Sequence, residues 1–73
     1  MNQIKMQINT LLSESNVPRN VKIALDEAKK SLESNEEYAI KASSATYKID
    51  EVSNDINLPP YARTVIWNIL SLL

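Results

Sequence analysis

Few side chains in this sequence can do chemistry, and their spacing separates more of them than it joins. Ser44 and Lys48 stand one helical turn apart, the arrangement of a nucleophile beside a general base. Such a pair also needs oxyanion donors and surroundings that lower the amine's pKa, and no segment of the chain points to either. The acidic pairs Asp26-Glu27, Glu36-Glu37 and Asp50-Glu51 are adjacent in sequence, so the two members of each diverge around a helix. A carboxylate-bridged metal site in a helical bundle also calls for Glu-x-x-His, and the chain has no His. It has no Cys, which removes thiol nucleophiles and thiolate metal ligands. It has no Gly, which removes the phosphate-cradling loop. These residues describe a protein that is not an enzyme, with no catalytic residues, no metal site and no cofactor.

Arg19, Lys22, Lys29 and Lys30 make the one basic cluster, on one side of a single helix. A basic helix face can meet phosphates. Asp26 and Glu33 lie among these bases at i±3 or i±4, a spacing that favours neutralising pairs within the helix. The overall balance is eight basic against nine acidic residues, net −1. That balance gives no long-range pull toward nucleic acid or an anionic membrane. Recognition of RNA by stacking draws on more aromatic side chains than three Tyr and one Trp. A solvated, salt-bridged face is therefore the favoured reading, with nucleic acid kept as the lesser one.

The elements that position these residues follow from apolar periodicity. The chain of 73 residues is expected to form one helical domain over 1–73. Ile4, Ile8, Leu11 and Leu12 mark one face of a first helix, over about 2–14. Val17-Pro18 opens a second, about 18–33, burying Val21, Ala24, Leu25, Ala28 and Leu32. Ser34 and Glu37 have capping-box spacing for a third, about 35–54, whose seam is Tyr38, Ala42, Ala45, Ile49 and Val52. Ala39, Ala42 and Ala45 would let a neighbouring backbone come close. Pro59-Pro60 opens a fourth, about 59–73. Ile8–Leu32 also aligns without gaps on Ile49–Leu73, with Asn16 on Asn57, Val17-Pro18 on Leu58-Pro59 and Lys22 on Arg63. Helix pairs repeating at about 40–47 residues are a HEAT-like period, and chance likeness between amphipathic helix pairs gives the same match. In either case the fold class is all-α, a four-helix up-and-down bundle made of two helical hairpins.

The fourth helix is apolar nearly all round. Ala62, Val65, Ile66, Ile69 and Leu73 form its central stripe, flanked by Tyr61 and Leu72 on one side and by Leu70 and Trp67 on the other. A bundle this small covers one face of such a helix, which leaves the rest for another chain. Tyr61, Arg63, Ile66, Trp67, Leu70 and Leu72 are accordingly the candidate interface, with Arg63 one turn from Trp67 and able to stack on its ring. The competing reading makes this helix the central element, with Trp67 tucked against the first. Ile40 and Tyr47, seven apart on the far side of helix three, form a weaker second patch.

Two stretches also carry a resemblance. Asn16-Val17-Pro18-Arg19-Asn20-Val21 is one. Glu51-Val52-Ser53-Asn54-Asp55, followed by Leu58-Pro59, Ala62-Arg63-Thr64 and Ile66-Trp67-Asn68-Ile69-Leu70-Ser71, is the other. Both are similar to uncharacterised protein family 147, small archaeal proteins of unassigned function, over about residues 8–73. The resemblance implies a four-helix up-and-down bundle and assigns no activity and no functional residues.

The expectations are therefore a cytoplasmic, non-membrane protein of unknown function that works by protein–protein interaction. Self-association is favoured, a dimer first, with another protein as the other partner. The alternative is an accessory protein of a ribonucleoprotein machine, touching RNA through the basic residues of helix two.

Overall fold

The computed structural model describes residues 2–73. The helices are α1 (Asn2–Leu12), α2 (Arg19–Leu32), α3 (Tyr38–Val52) and α4 (Pro60–Leu72), with no strand among the described residues. Each helix packs on its neighbours in the chain, and α4 closes the ring on α1, giving the up-and-down bundle. The bundle measures 33 × 19 × 19 Å. The α2–α3 pair approaches most closely, because Ala24, Ala28, Ala42 and Ala45 keep side-chain bulk out of that seam. The α3–α4 pair is the loosest.

Ile8, Leu11, Val21, Leu25, Ile49, Ile66 and Ile69 are fully buried and form the centre of the core. All five positions expected to be buried on α2 are buried. On α3 the seam holds at Ala42, Ala45 and Ile49, while Val52 is half-buried. Tyr38 corrects the expectation: it is exposed, because it occupies the first position of α3 and lies at the end of the seam. Ala39 is exposed as well, on the flank of α3 outside the α2 contact.

The two turns within the hairpins are built alike. Pro18 and Pro59 each stand just outside their helix, as N-caps with φ −57°, ψ 148° and φ −60°, ψ 148°. Their fixed φ suits that position, and their carbonyls take the first helical bonds, from the Lys22 and Arg63 N–H groups, each at 3.0 Å. Ahead of each proline a buried side chain, Val17 or Leu58, plugs that end of the core. Polar bonds then tie the turns across the halves. Asn20 Nδ2 donates to Asp55 Oδ2 at 2.8 Å, and Tyr61 Oη donates to Asn16 Oδ1 at 2.6 Å. Asn20 and Tyr61 are themselves partners in the internal alignment, so each half donates one tie to the other, although the acceptors Asp55 and Asn16 align with Glu14 and Asn57 and not with each other.

The connection between α2 and α3 differs from expectation. No capping box forms, since α3 starts at Tyr38 with Glu37 as its N-cap and no side-chain cap bond. Ser34 is three residues ahead of that N-cap, too early to serve it. Its Oγ instead accepts from the Glu36 N–H, within the turn, at 3.4 Å.

Candidate interaction surface

At about 100° per residue, the candidate interface on α4 does not stay together. Ile66 is fully buried and belongs to the core: it lies between Ala62 and Ile69 on the inward stripe. Tyr61 and Leu72 fall on the flank toward α1. There the Tyr61 hydroxyl is engaged with Asn16, and Asn68 Nδ2 donates to Gln7 Oε1 at 2.9 Å. Leu70 and Trp67 fall on the other flank, beside α3. Leu70 is half-buried against the core, while Trp67 is 56% exposed and is not tucked against α1. Arg63 is half-buried and turned to the α3–α4 turn, where Nη2 donates to the Asp55 carbonyl at 3.1 Å. That draws the guanidinium toward the start of α4, away from the ring it was expected to cover.

A groove of about 660 Å³ runs along α3, lined by seven residues of that helix together with Leu73. Small side chains line much of it: Ala39, Ala42, Ser43 and Thr46. Tyr38, Tyr47 and Leu73 are its large apolar members. Tyr47, expected only as part of a weak patch with Ile40, thus belongs to the groove, and both residues are exposed. Sequence reasoning passed over Ile56, 91% exposed in the α3–α4 turn, as well as exposed Ile23 and Met6. Ile56 had a signal: the internal alignment sets it opposite polar Ser15.

The basic face is partly neutralised. Lys30 pairs with Asp26 at 3.2 Å within α2, and Lys29 donates to Asn9 Oδ1 of α1 at 2.9 Å. Glu33 corrects the expectation by pairing with Lys5 of α1, at 3.5 Å, rather than within its own helix. Arg19 is exposed and Lys22 half-buried. Ser44 and Lys48 have separate partners, Ser31 Oγ at 3.4 Å and Glu27 at 3.7 Å. Asp26 and Glu27 likewise turn to different lysines. Among the described residues no three metal-ligating side chains gather, and no helix is long and apolar enough to cross a membrane.

Residues 1–73 match the sequence model of an uncharacterised protein family, UPF0147, along their whole length. The chain belongs to this family. A UPF0147 protein of Methanocaldococcus jannaschii is 35% identical over 71 residues, covering 96% of this chain and 76% of the relative. One from Methanothermobacter thermautotrophicus is 36% identical over 73 residues, covering 99% and 72%. The crystal structure of a protein of unknown function, MMP1188, superposes with a TM-score of 0.91 at 32% identity, covering 96% of this chain and 81% of that one. UPF0147 is a family without an established function, so it supplies the all-α fold and an archaeal kinship and assigns a role to no residue.

Proposed function

We propose that this UPF0147 chain is a non-catalytic, self-associating helical module of the cytoplasm, whose contact surface is the α3–α4 face and whose partner is a second copy. Two observations carry the reading: Trp67 is exposed on the outer side of α4, and α3, which packs on α4, bears a groove lined by small side chains and two tyrosines. A two-fold dimer uses one patch twice, so a patch that offers both a large ring and a recess is self-complementary. Trp is the residue type most often dominant at such contacts. A net charge of −1 leaves little repulsion between copies. The ion-paired and hydrogen-bonded lysines of α2 weigh against the RNA reading.

Light scattering on the gel-filtered protein tests this across a dilution series. The wild type is expected to approach twice the 8.3 kDa chain mass at the concentrated end. Trp67→Ala is expected to lose the part of that mass increase that reverses on dilution and to melt close to the wild type, because the ring is largely outside the core. A variant with unchanged mass and a much lower melting temperature would make Trp67 a folding residue and overturn the reading.

A further inference from the structure

The three connections in this bundle are not equivalent. The two within the hairpins carry Pro18 and Pro59-Pro60, a buried plug and the reciprocal ties of Asn20 and Tyr61. The one between the hairpins, Glu33-Ser34-Asn35-Glu36-Glu37, has no Pro, no Gly and no apolar residue. Glu33 still has helical geometry, at φ −89°, ψ −2°. Weak bonds hold the turn: Ser34 N–H to the Ser31 carbonyl at 3.2 Å, Glu36 N–H to Ser34 Oγ at 3.4 Å, and Lys41 Nζ to the Ser34 carbonyl at 3.4 Å. With no side-chain cap at Glu37, the ends of α2 and α3 leave backbone groups that a continuous helix would pair.

The apolar pattern also runs through this connection without losing phase. Val21, Ala28, Ala42 and Ile49 are all buried and recur at heptad spacing, and Asn35 occupies the position between Ala28 and Ala42. Run as one helix of about 50 Å, residues 19–52 would keep both buried stripes on one face, with the slow drift of a heptad against 3.6 residues per turn. What covers each hairpin in the bundle is already a hairpin of the same design, with Leu25 and Ile66, and Ala28 and Ile69, matched and fully buried.

We propose that residues 33–37 are a hinge through which two copies of this chain exchange hairpins. In the exchanged dimer α1–α2 of one copy packs on α3–α4 of the other, and residues 19–52 of each copy form a single helix. The core contacts and the Asn20–Asp55, Tyr61–Asn16 and Lys48–Glu27 pairs all re-form, now between chains. Only the turn bonds of Ser34 and Glu36 are given up, and helical bonds across residues 34–37 replace them. This dimer is independent of the Trp67 face, which stays free on each four-helix unit.

Cross-linking separates the two. The chain has no cysteine, so Asn20→Cys with Asp55→Cys places its only thiols where side chains now meet at 2.8 Å. The protein is refolded at high concentration, its monomer and dimer fractions are separated by size, and each is treated with a short bismaleimide and run on a denaturing gel. Hairpin exchange predicts product at twice the 8.3 kDa chain mass from the dimer fraction and at one chain mass from the monomer fraction. A dimer fraction linked only within chains is the surface dimer and overturns the exchange. Adding Asn35→Pro, which a helix interior rejects and a turn accepts, is expected to cut the interchain product about tenfold or more. Circular dichroism checks that this variant keeps the wild-type helix content. Ser34→Ala with Asn35→Ala, which raises helix propensity in the hinge, is expected to increase the product. No interchain product even from that variant would equally overturn the hinge. Trp67→Ala is expected to leave the interchain product unchanged, so failure of the surface reading and failure of this one are told apart.

Discussion

Helices α2 and α4 are counterparts in the two hairpins, and they agree inside and disagree outside. The internal alignment sets Val21 on Ala62, Leu25 on Ile66 and Ala28 on Ile69, and all six are fully buried. It also sets Asp26 on Trp67 and Lys29 on Leu70. Asp26 and Lys29 are occupied by Lys30 and by Asn9, so α2's outer face is satisfied within the chain. Arg63 is the only charge on α4, and its outer flank carries the exposed Trp67 ring. Closing a four-helix core constrains the inner positions of both helices in the same way. It places no constraint on the outer ones, so the outer face of α4 is where a specific partner would leave its mark.

The heaviest blow to the likeness of the halves is struck in the core. Ile8 and Ile49 are matched and fully buried. Truncating either to Ala is expected to cost roughly 2–5 kcal/mol from lost burial and the cavity left behind. A domain this small has about 3–5 kcal/mol to lose. Both Ile8→Ala and Ile49→Ala are therefore expected to be largely unfolded by circular dichroism at room temperature. Tolerance of one and not the other would show that one hairpin carries the fold.

Next in size is the outer contrast. At the proposed contact Trp67→Ala is expected to weaken dimerisation by about 2 kcal/mol, close to thirtyfold, as truncation of a central aromatic anchor does. Its counterpart Asp26→Ala removes half of an exposed ion pair within one helix, worth about 0.3–0.5 kcal/mol of stability. It is expected to leave the dissociation constant where it was. Equal losses of association from the two would erase the distinction between the outer faces.

Much of this arrangement was legible in the sequence. The spacing of Val21, Ala24, Leu25, Ala28 and Leu32 placed the buried face of α2 completely, because a 3.6-residue repeat is a local property. The internal alignment already set Pro18 against Pro59 and Val17 against Leu58, and the two turns share their geometry. The candidate surface was less legible. The step of about 100° already set Ile66 on the inward stripe, whereas no local pattern says whether Trp67 on the flank is in water or tucked against α1. The helical wheel sets Tyr61 on one flank of the stripe and Arg63 beside Trp67, but long-range polar bonds to Asn16 and to the Asp55 carbonyl fix where the two side chains point. No periodicity encodes such a bond. The groove was invisible for a related reason, since Leu73 after α4 joins residues of α3 in lining it, a property of neither helix alone.

The smallest expected effect tests the two reciprocal ties, which look alike and differ in charge. Asn20 donates to a carboxylate and Tyr61 to a neutral amide. The Asp55 carboxyl is held below the usual carboxylate range, first by the Asn20 side chain and then by the Asn57 N–H, which donates to Oδ1 at 2.8 Å. A carboxyl whose folded pKa is lowered favours the folded state in its ionised form. Its contribution is whole above the ordinary carboxylate range and disappears as pH falls through the lowered value. Asn20→Ala removes the larger cause, so its folded pKa moves back toward the ordinary one. Melting temperature plotted against pH is expected to fall less steeply for Asn20→Ala than for wild type through the acid range, with the two curves converging at its lower end. Tyr61→Phe removes a bond to a group that does not titrate there, so its curve is expected to run parallel to the wild type at a small constant offset. If Asn20→Ala also runs parallel, the Asn20–Asp55 bond carries no charge-dependent share of stability, and the charge difference between the two ties has no energetic consequence.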